Sequence, residues 1–169
     1  GVPEFKGYID VVVPKTTEFE AFLEEISTRC EMVRNHNVSR KTDNMLKITV
    51  DGRMAALDLR LVNPDAKFTK ESKVYYCACK VAEIYKKTKS KRSTQLIFCD
   101  TSTPKDKFNI YDEMKRLLIE MGVNENEIAY IHDADDSNKK KEKLLAKVRS
   151  GEIRVLIGST SKLGTGVNV

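Results

Sequence analysis

No tryptophan occurs in these 169 residues, no cysteine pair has metal-site spacing, and no apolar run approaches the about twenty residues that a membrane span needs. Each absence removes a class of protein. The cysteines at 30, 77, 79 and 99 read as reduced core thiols of a cytosolic protein, since Cys77 and Cys79 fall in a helical pattern and Cys99 ends an apolar strand. With no signal peptide in view, the expectation is a cytoplasmic chain with no membrane partner. There is also no GxxxxGKS/T sequence and no DExx-type acidic motif closing a strand, which excludes productive ATP binding by these residues alone.

What is present suits a folded domain. The length is that of one domain with a sizeable core, and 33% charged residues beside normal apolar content exclude a disordered chain. A net charge of +5 is compatible with nucleic acid without establishing it.

Residues 1–92 form a lead-in. Tyr8 to Val13 reads as an extended segment stopped by Pro14. Thr17 with Glu20 then has the form of a capping box, and Phe19, Phe22, Leu23, Ile26, Cys30 and Val33 follow at helical spacing until Asn35, His36 and Asn37. Residues 41 to 61 suggest helical pieces broken near Gly52, with Asp43, Asp51, Arg53, Asp58 and Arg60 forming either an ion-pair network or a solvated face. Val74, Cys77, Ala78, Val81, Ala82, Ile84 and Tyr85 give another amphipathic helix, ending in Lys86, Lys87, Lys89, Lys91 and Arg92. Five cations in seven residues either meet a phosphate backbone or simply suit a helix C-terminus.

From residue 93 the pattern becomes regular. Gln95 to Cys99 is a strand, Phe108 to Met121 a helix stopped by Gly122, and Ile128 to His132 a second strand. Ser137 caps a helix carrying Leu144, Leu145 and Val148 that ends at Gly151, and Ile153 to Ile157 is a third strand. Alternation of this kind predicts an α/β fold with a parallel sheet built from right-handed βαβ units. Its strand ends then share one edge, carrying Asp100, Thr101, Ser102 and Thr103, then His132 and Asp133, then Ser159, Thr160 and Ser161. Hydroxyls and glycines just past parallel strands suit phosphate, although two glycines in a polar loop also serve as plain turn punctuation. The loop after Asp100 lacks glycine, which counts against a small-ligand enzyme on a flavodoxin-like sheet. His132 beside Asp133 suggests a catalytic pair, but no nucleophile accompanies it, and a structural role is the stronger reading. The lysines at 139 to 143 read as a solvated helix face opposite Leu144 and Leu145. An unpaired edge of this sheet is expected to be covered by the N-terminal helices or by a second copy of the chain.

QLIFCDTS, then YIHDADDSNKKKEKLLAKVRSGE, then RVLIGSTSKLGTGVNV resemble, in that order, the second RecA-like lobe of superfamily 2 helicases, and most closely Swi/Snf-type DNA translocases. Gln95 to Asp100 is similar to motif IV and Ser159 to Asn168 to motif V, where Thr160, Gly164, Gly166 and Asn168 fall in register. Residues 43 to 61 further resemble large bacterial mobile-element proteins in which such a motor is commonly joined to an adenine DNA methylase region. Ala134 in place of a usual glycine and Leu163 in place of a small residue depart from the pattern.

The resemblance implies a three-layer RecA-like sheet over residues 93–169 with helices on both faces, preceded by the helical region of 1–92. It implies a part of an ATP-dependent DNA helicase or translocase, ending after motif V, without a catalytic residue of its own and inert alone. ATP and Mg2+ would be held with the N-terminal RecA-like lobe of the same protein, not by this fragment alone. Thr101, Ser102, Ser159 and Thr160 would touch DNA phosphates, with Lys86 and Lys87 as further DNA contacts. Gly164, Thr165, Gly166 and Asn168 would lie by the nucleotide and the lobe interface. A non-catalytic module that docks DNA or protein is the alternative.

Overall fold

The computed structural model describes residues 4–134 and 137–163. Residues 4–16 carry no regular secondary structure, so the predicted extended segment pairs with nothing, and Phe5, Tyr8, Ile9 and Val12 lie open to solvent. Helix α1 (Thr17–Arg34) starts one residue before the predicted capping box. Thr16 is the N-cap, its hydroxyl accepting from the Phe19 N–H at 3.1 Å. The third helical position is thus Phe19, which cannot return the bond, and Glu20 is left with only its charge near the positive end of the helix. The helix stops at Asn35, as the polar run predicts, and His36 turns into the left-handed region at φ 56°.

Helix α2 (Met45–Leu57) runs through Gly52 without the predicted break. A helical glycine costs only about 1 kcal/mol relative to alanine, which tertiary contacts can override. Here Arg29 of α1 bonds Asp43 at 2.6 Å and Asp51 at 2.8 Å, tying α1 to the residues before α2 and to the helical residue next to Gly52. The chain breaks instead at Asp58, whose backbone is extended and whose carboxylate accepts from the Arg60 N–H. Of the charges in this region, Asp43, Asp51, Asp58 and Arg60 enter ion pairs, whereas Arg53 lies exposed.

Helix α3 (Lys73–Lys87) leads to the sheet, whose strands are β1 (Gln95–Phe98), β2 (Ile128–Tyr130) and β3 (Val155–Gly158). All are parallel, in the order β1-β3-β2, with Val155 opposite both Gln95 and Ile128. Helix α4 (Ile110–Glu120) connects β1 to β2, and α5 (Asn138–Arg149) brings the chain back to β3. The crossovers run in opposite directions, so connections of one hand must put their helices on opposite faces. The packing agrees. Val155 and Ile157 join the core of α3 and α4, while Leu156 joins Leu145 and Val148 of α5. The expected α/β class is met by this small three-stranded sheet with its helices.

Packing overturns one expectation and one of the two covers expected for the sheet edge. Cys79 is exposed, because at helical spacing it falls a half-turn from the buried row Val74, Ala78 and Val81; the other three cysteines are half-buried. The N-terminal helices do not cover the sheet edge, since α2 packs on α1, on residues 58–61 and on α3. Edge strand β1 consequently shows Leu96 at 37% and Phe98 at 50% exposure. Among the described residues no helix is long and apolar enough to cross a membrane.

At the amino end of the sheet a full charge is buried. Arg154, 1% exposed, donates from Nε to the Ser93 carbonyl at 3.1 Å and from Nη2 to the Tyr85 carbonyl at 2.8 Å and Thr88 Oγ1 at 2.9 Å. Its guanidinium also stacks 4.0 Å from the centre of the Tyr85 ring. Two of these acceptors, Tyr85 and Thr88, are in the last turn and cap of α3, where the helix dipole favours a cation. Replacing Arg154 by Met keeps the volume but orphans the buried carbonyls, so we expect a loss of about 2 to 4 kcal/mol in urea unfolding. Arg154→Lys should recover only part of it, because an ammonium neither forks nor stacks in the same way. A wild-type midpoint for Arg154→Met would show that this contact does not hold α3 to the sheet.

Candidate nucleic-acid interface at the carboxyl edge

Parallel strands bring their carboxyl ends together, and here β1 and β3 are joined past their last residues. The Asp100 carboxylate accepts from the Thr160 N–H at 2.6 Å and from Thr160 Oγ1 at 2.8 Å. It thereby satisfies the first N–H of α6 (Thr160–Leu163). Gly158 makes this turn possible: a Cβ there would stand 2.4 Å from Leu163 Cδ1 and 2.7 Å from Ile131 Cγ2. Thr160 and Ser161 remain exposed, while Ser159 is buried with its hydroxyl 3.0 Å from that of Ser161.

The other predicted contacts are distributed unevenly. Ser102 is 5% exposed and its hydroxyl accepts from the Ile110 N–H at 3.0 Å, which commits it to the start of α4. Asn109, the N-cap of α4, bonds the Asp112 N–H and the carbonyls of Lys105 and Lys107, so the whole loop after Thr101 is folded onto that helix start. Thr101 is half-buried beside it. Lys86 and Lys87 end α3 and therefore lie at the opposite, amino end of the sheet, away from Thr160. Gly164, Thr165, Gly166 and Asn168 lie outside the described residues. On α5, Lys139 and Lys143 are exposed as a solvated face predicts, but Lys141 donates to the Lys162 carbonyl at 3.0 Å and ties α5 to α6.

Beneath the edge runs an aromatic layer. The second strand stops at Tyr130, and His132 falls in a tight 3-10 turn, Ile131–Ala134, not at a strand end. Tyr111 is buried with its hydroxyl donating to the Cys99 carbonyl at 2.8 Å, and it meets Tyr130 and His132 edge-on at 5.5 and 5.2 Å. The structural reading of His132 suits its surroundings better than a catalytic pair: Asp133 is exposed, and His132 Nδ1 is buried with no hydrogen-bond partner among the described residues. Burial, with nearby Lys162, holds the His132 imidazolium below its ordinary pKa against the pull of Asp133.

Asp112-Glu113-Met114-Lys115 has the letters of an acidic magnesium motif, yet it occupies the first turns of a helix. Tyr130 donates to Asp112 at 2.9 Å, and Glu113 is buried between Arg60 at 2.9 Å and Arg116 at 2.7 Å. Burial alone would raise the Glu113 carboxyl, but those two guanidiniums keep it below the usual range. Arg60 in turn pairs with buried Asp58 and lies over the Phe108 ring at 4.5 Å. This network joins residues 53 positions apart and acts structurally. A separate cleft of about 870 Å³ lies between the start of α1 and residues 58–71. Among the described residues no group of three or more acidic, histidine or cysteine side chains is placed to hold a metal ion.

No family, curated protein or solved structure matches this chain. Residue placement therefore has to carry the functional reading.

The depressed pKa of His132 has a sign that can be checked. Below the ordinary histidine value near 6.5 the unfolded chain takes up a proton that the folded ring resists, so stability contributed by His132 is full above that pH and is lost as pH falls through the folded pKa. Urea midpoints compared between neutral and mildly acid pH should fall more for the wild type than for His132→Phe. Equal falls would remove His132 from the acid response.

Proposed function

We propose that this chain is the second, C-terminal RecA-like lobe of a superfamily 2 DNA helicase or translocase of the Swi/Snf type. The observation that carries the reading is the junction of Asp100 with Thr160. Two strand ends that the resemblance gives to motifs IV and V meet there, with an exposed threonine hydroxyl at the start of a helix. A hydroxyl and backbone N–H groups at such an edge suit contacts to phosphate, which carry no base sequence and fit a motor that steps along any DNA. The complete three-layer sheet belongs to this proposal, with the core of α3 and α4 on one face and that of α5 and α6 on the other as its support.

In this reading ATP and Mg2+ are held with an N-terminal RecA-like lobe, which would supply the glycine-rich loop, the lysine and the acidic pair missing here. The described residues of this chain offer no metal cluster, and the Asp112-Glu113 pair is spent on Tyr130, Arg60 and Arg116. This lobe would position DNA and close against the nucleotide through residues 164–168. The same resemblance admits an adenine DNA methylase region attached to the motor, and the proposed cytoplasmic location rests on the free cysteines.

Asp100 sets the local chemistry. Its carboxylate competes with phosphate for the Thr160 hydroxyl and repels an approaching anion. In anisotropy titrations with labelled single- and double-stranded DNA, binding should be weak, indifferent to sequence and diminished by salt. Thr160→Ala should weaken it, and Asp100→Asn, which keeps an acceptor for the Thr160 N–H but removes the charge, should tighten it by roughly threefold or more. An absence of binding at low salt, or indifference to both substitutions, would reject DNA contact at this edge and leave a docking module.

A further inference from the structure

Residues 86–92 form a braced turn at the end of the sheet opposite Thr160. Three backbone bonds fold it after α3: Lys89 N–H to Lys86 O at 3.3 Å, Lys91 N–H to Thr88 O at 3.1 Å and Arg92 N–H to Lys89 O at 3.3 Å. From inside, Arg154 bonds residues before, within and after it, namely Tyr85, Thr88 and Ser93. From the side, Arg92 takes a left-handed φ of 47°, donates to the Gly151 carbonyl at 2.9 Å and pairs with Glu127 at 2.6 Å. Gly151 is required there, for at φ 75° an added Cβ would stand 2.8 Å from the Arg92 carbonyl oxygen.

The charges on this turn have unequal explanations. Lys87 pairs with Glu83 and Arg92 with Glu127. Lys86 gains from the negative end of the α3 dipole, but Lys89 and Lys91 follow the helix end and gain little. Lys86, Lys89 and Lys91 are all exposed, and among the described residues none is in ion-pair contact with a carboxylate. Neighbouring acids are committed elsewhere: Glu125 to Lys115, Glu127 to Arg92 and Glu152 to Lys147. A rigid turn therefore holds three uncompensated like charges together, which disfavours the fold and favours a polyanion.

We propose that this turn is a second nucleic-acid contact, for a phosphate backbone, separate from the carboxyl edge. The four residues of β3 alone put about 13 Å between the two ends, at 3.3 Å per residue. The occupant follows from what the turn lacks. Residues 86–92 contain no apolar side chain, whereas protein interfaces centre on buried aromatic and apolar anchors. Lysines with Thr88 and Ser90 hydroxyls are instead the usual partners of phosphate oxygens. The inference does not depend on the Thr160 edge binding DNA.

The test is a salt series with a labelled DNA duplex on the whole chain, comparing wild type with Lys86→Gln/Lys89→Gln/Lys91→Gln. At about 0.9 per neutralised phosphate, the slope of log affinity against log salt should shrink by about two to three. The same loss should appear in a Thr160→Ala background, while the triple Lys→Arg variant should keep the wild-type slope. Thermal melts followed by circular dichroism should show no loss of stability in either triple, which separates lost contact from lost fold. An unchanged slope in the Gln variant overturns the proposal, as does absence of duplex binding by the wild type. So does retention of DNA affinity with loss of polyglutamate binding, which would give the turn to an acidic protein.

Discussion

A buried guanidinium sets the terms for the sheet. An ion taken out of water is tolerated only when its hydrogen-bonding capacity is met, and Arg154 meets it with the end of α3 and the start of β1. Its own main chain bonds Gln95 on one side and Glu127 on the other, so one residue locates both edge strands and a helix. Carbonyls at a helix end are suited to this task, since they are unpaired within the helix and carry the negative end of its dipole.

From that fixed end the strands run parallel, and everything chemical collects at the other. β3 is buried throughout because it is central and covered on both faces, and this is why its first exposed residue, Thr160, is also the first that a ligand could meet. The aromatic layer of Tyr130, Tyr111 and His132 lies beneath, with the two tyrosine hydroxyls turned to Asp112 and Cys99. The edge is thus a polar rim on a dry base, suited to orienting a ligand's charge more than to enclosing a small molecule.

Local signals in the sequence were legible where local physics decides. Ser137, Gly122 and Gly151 mark helix limits that the structure keeps, and the alternation after residue 93 gives the parallel strands. Thr16 displaced Thr17 because two adjacent threonines offer equal caps and packing chose between them. The helix through Gly52 and the pairing of Arg60 escaped local signals for one reason: Asp51, beside Gly52, pairs with Arg29 and Arg60 pairs with Glu113, both remote in sequence. Arg154 falls inside the predicted third strand, and no periodicity could show that three acceptors awaited its side chain. Lys86 and Thr160 both carry chemistry suited to phosphate, and only the strand direction puts them at opposite ends.

The ladder between β1 and β3 is pinned at both ends. At one, the Gln95 N–H meets the Arg154 carbonyl at 2.8 Å; at the other, Asp100 holds Thr160. Two strands bolted in this way cannot shear past each other by a register step without breaking both fastenings. Twist and bend remain open to the sheet, but sliding is closed. Any displacement of Thr160 relative to Asp100 must therefore come from unseating α6, whose Leu163 rests against Gly158, so the compliant joint of this domain is a single short helix and not the sheet that carries it.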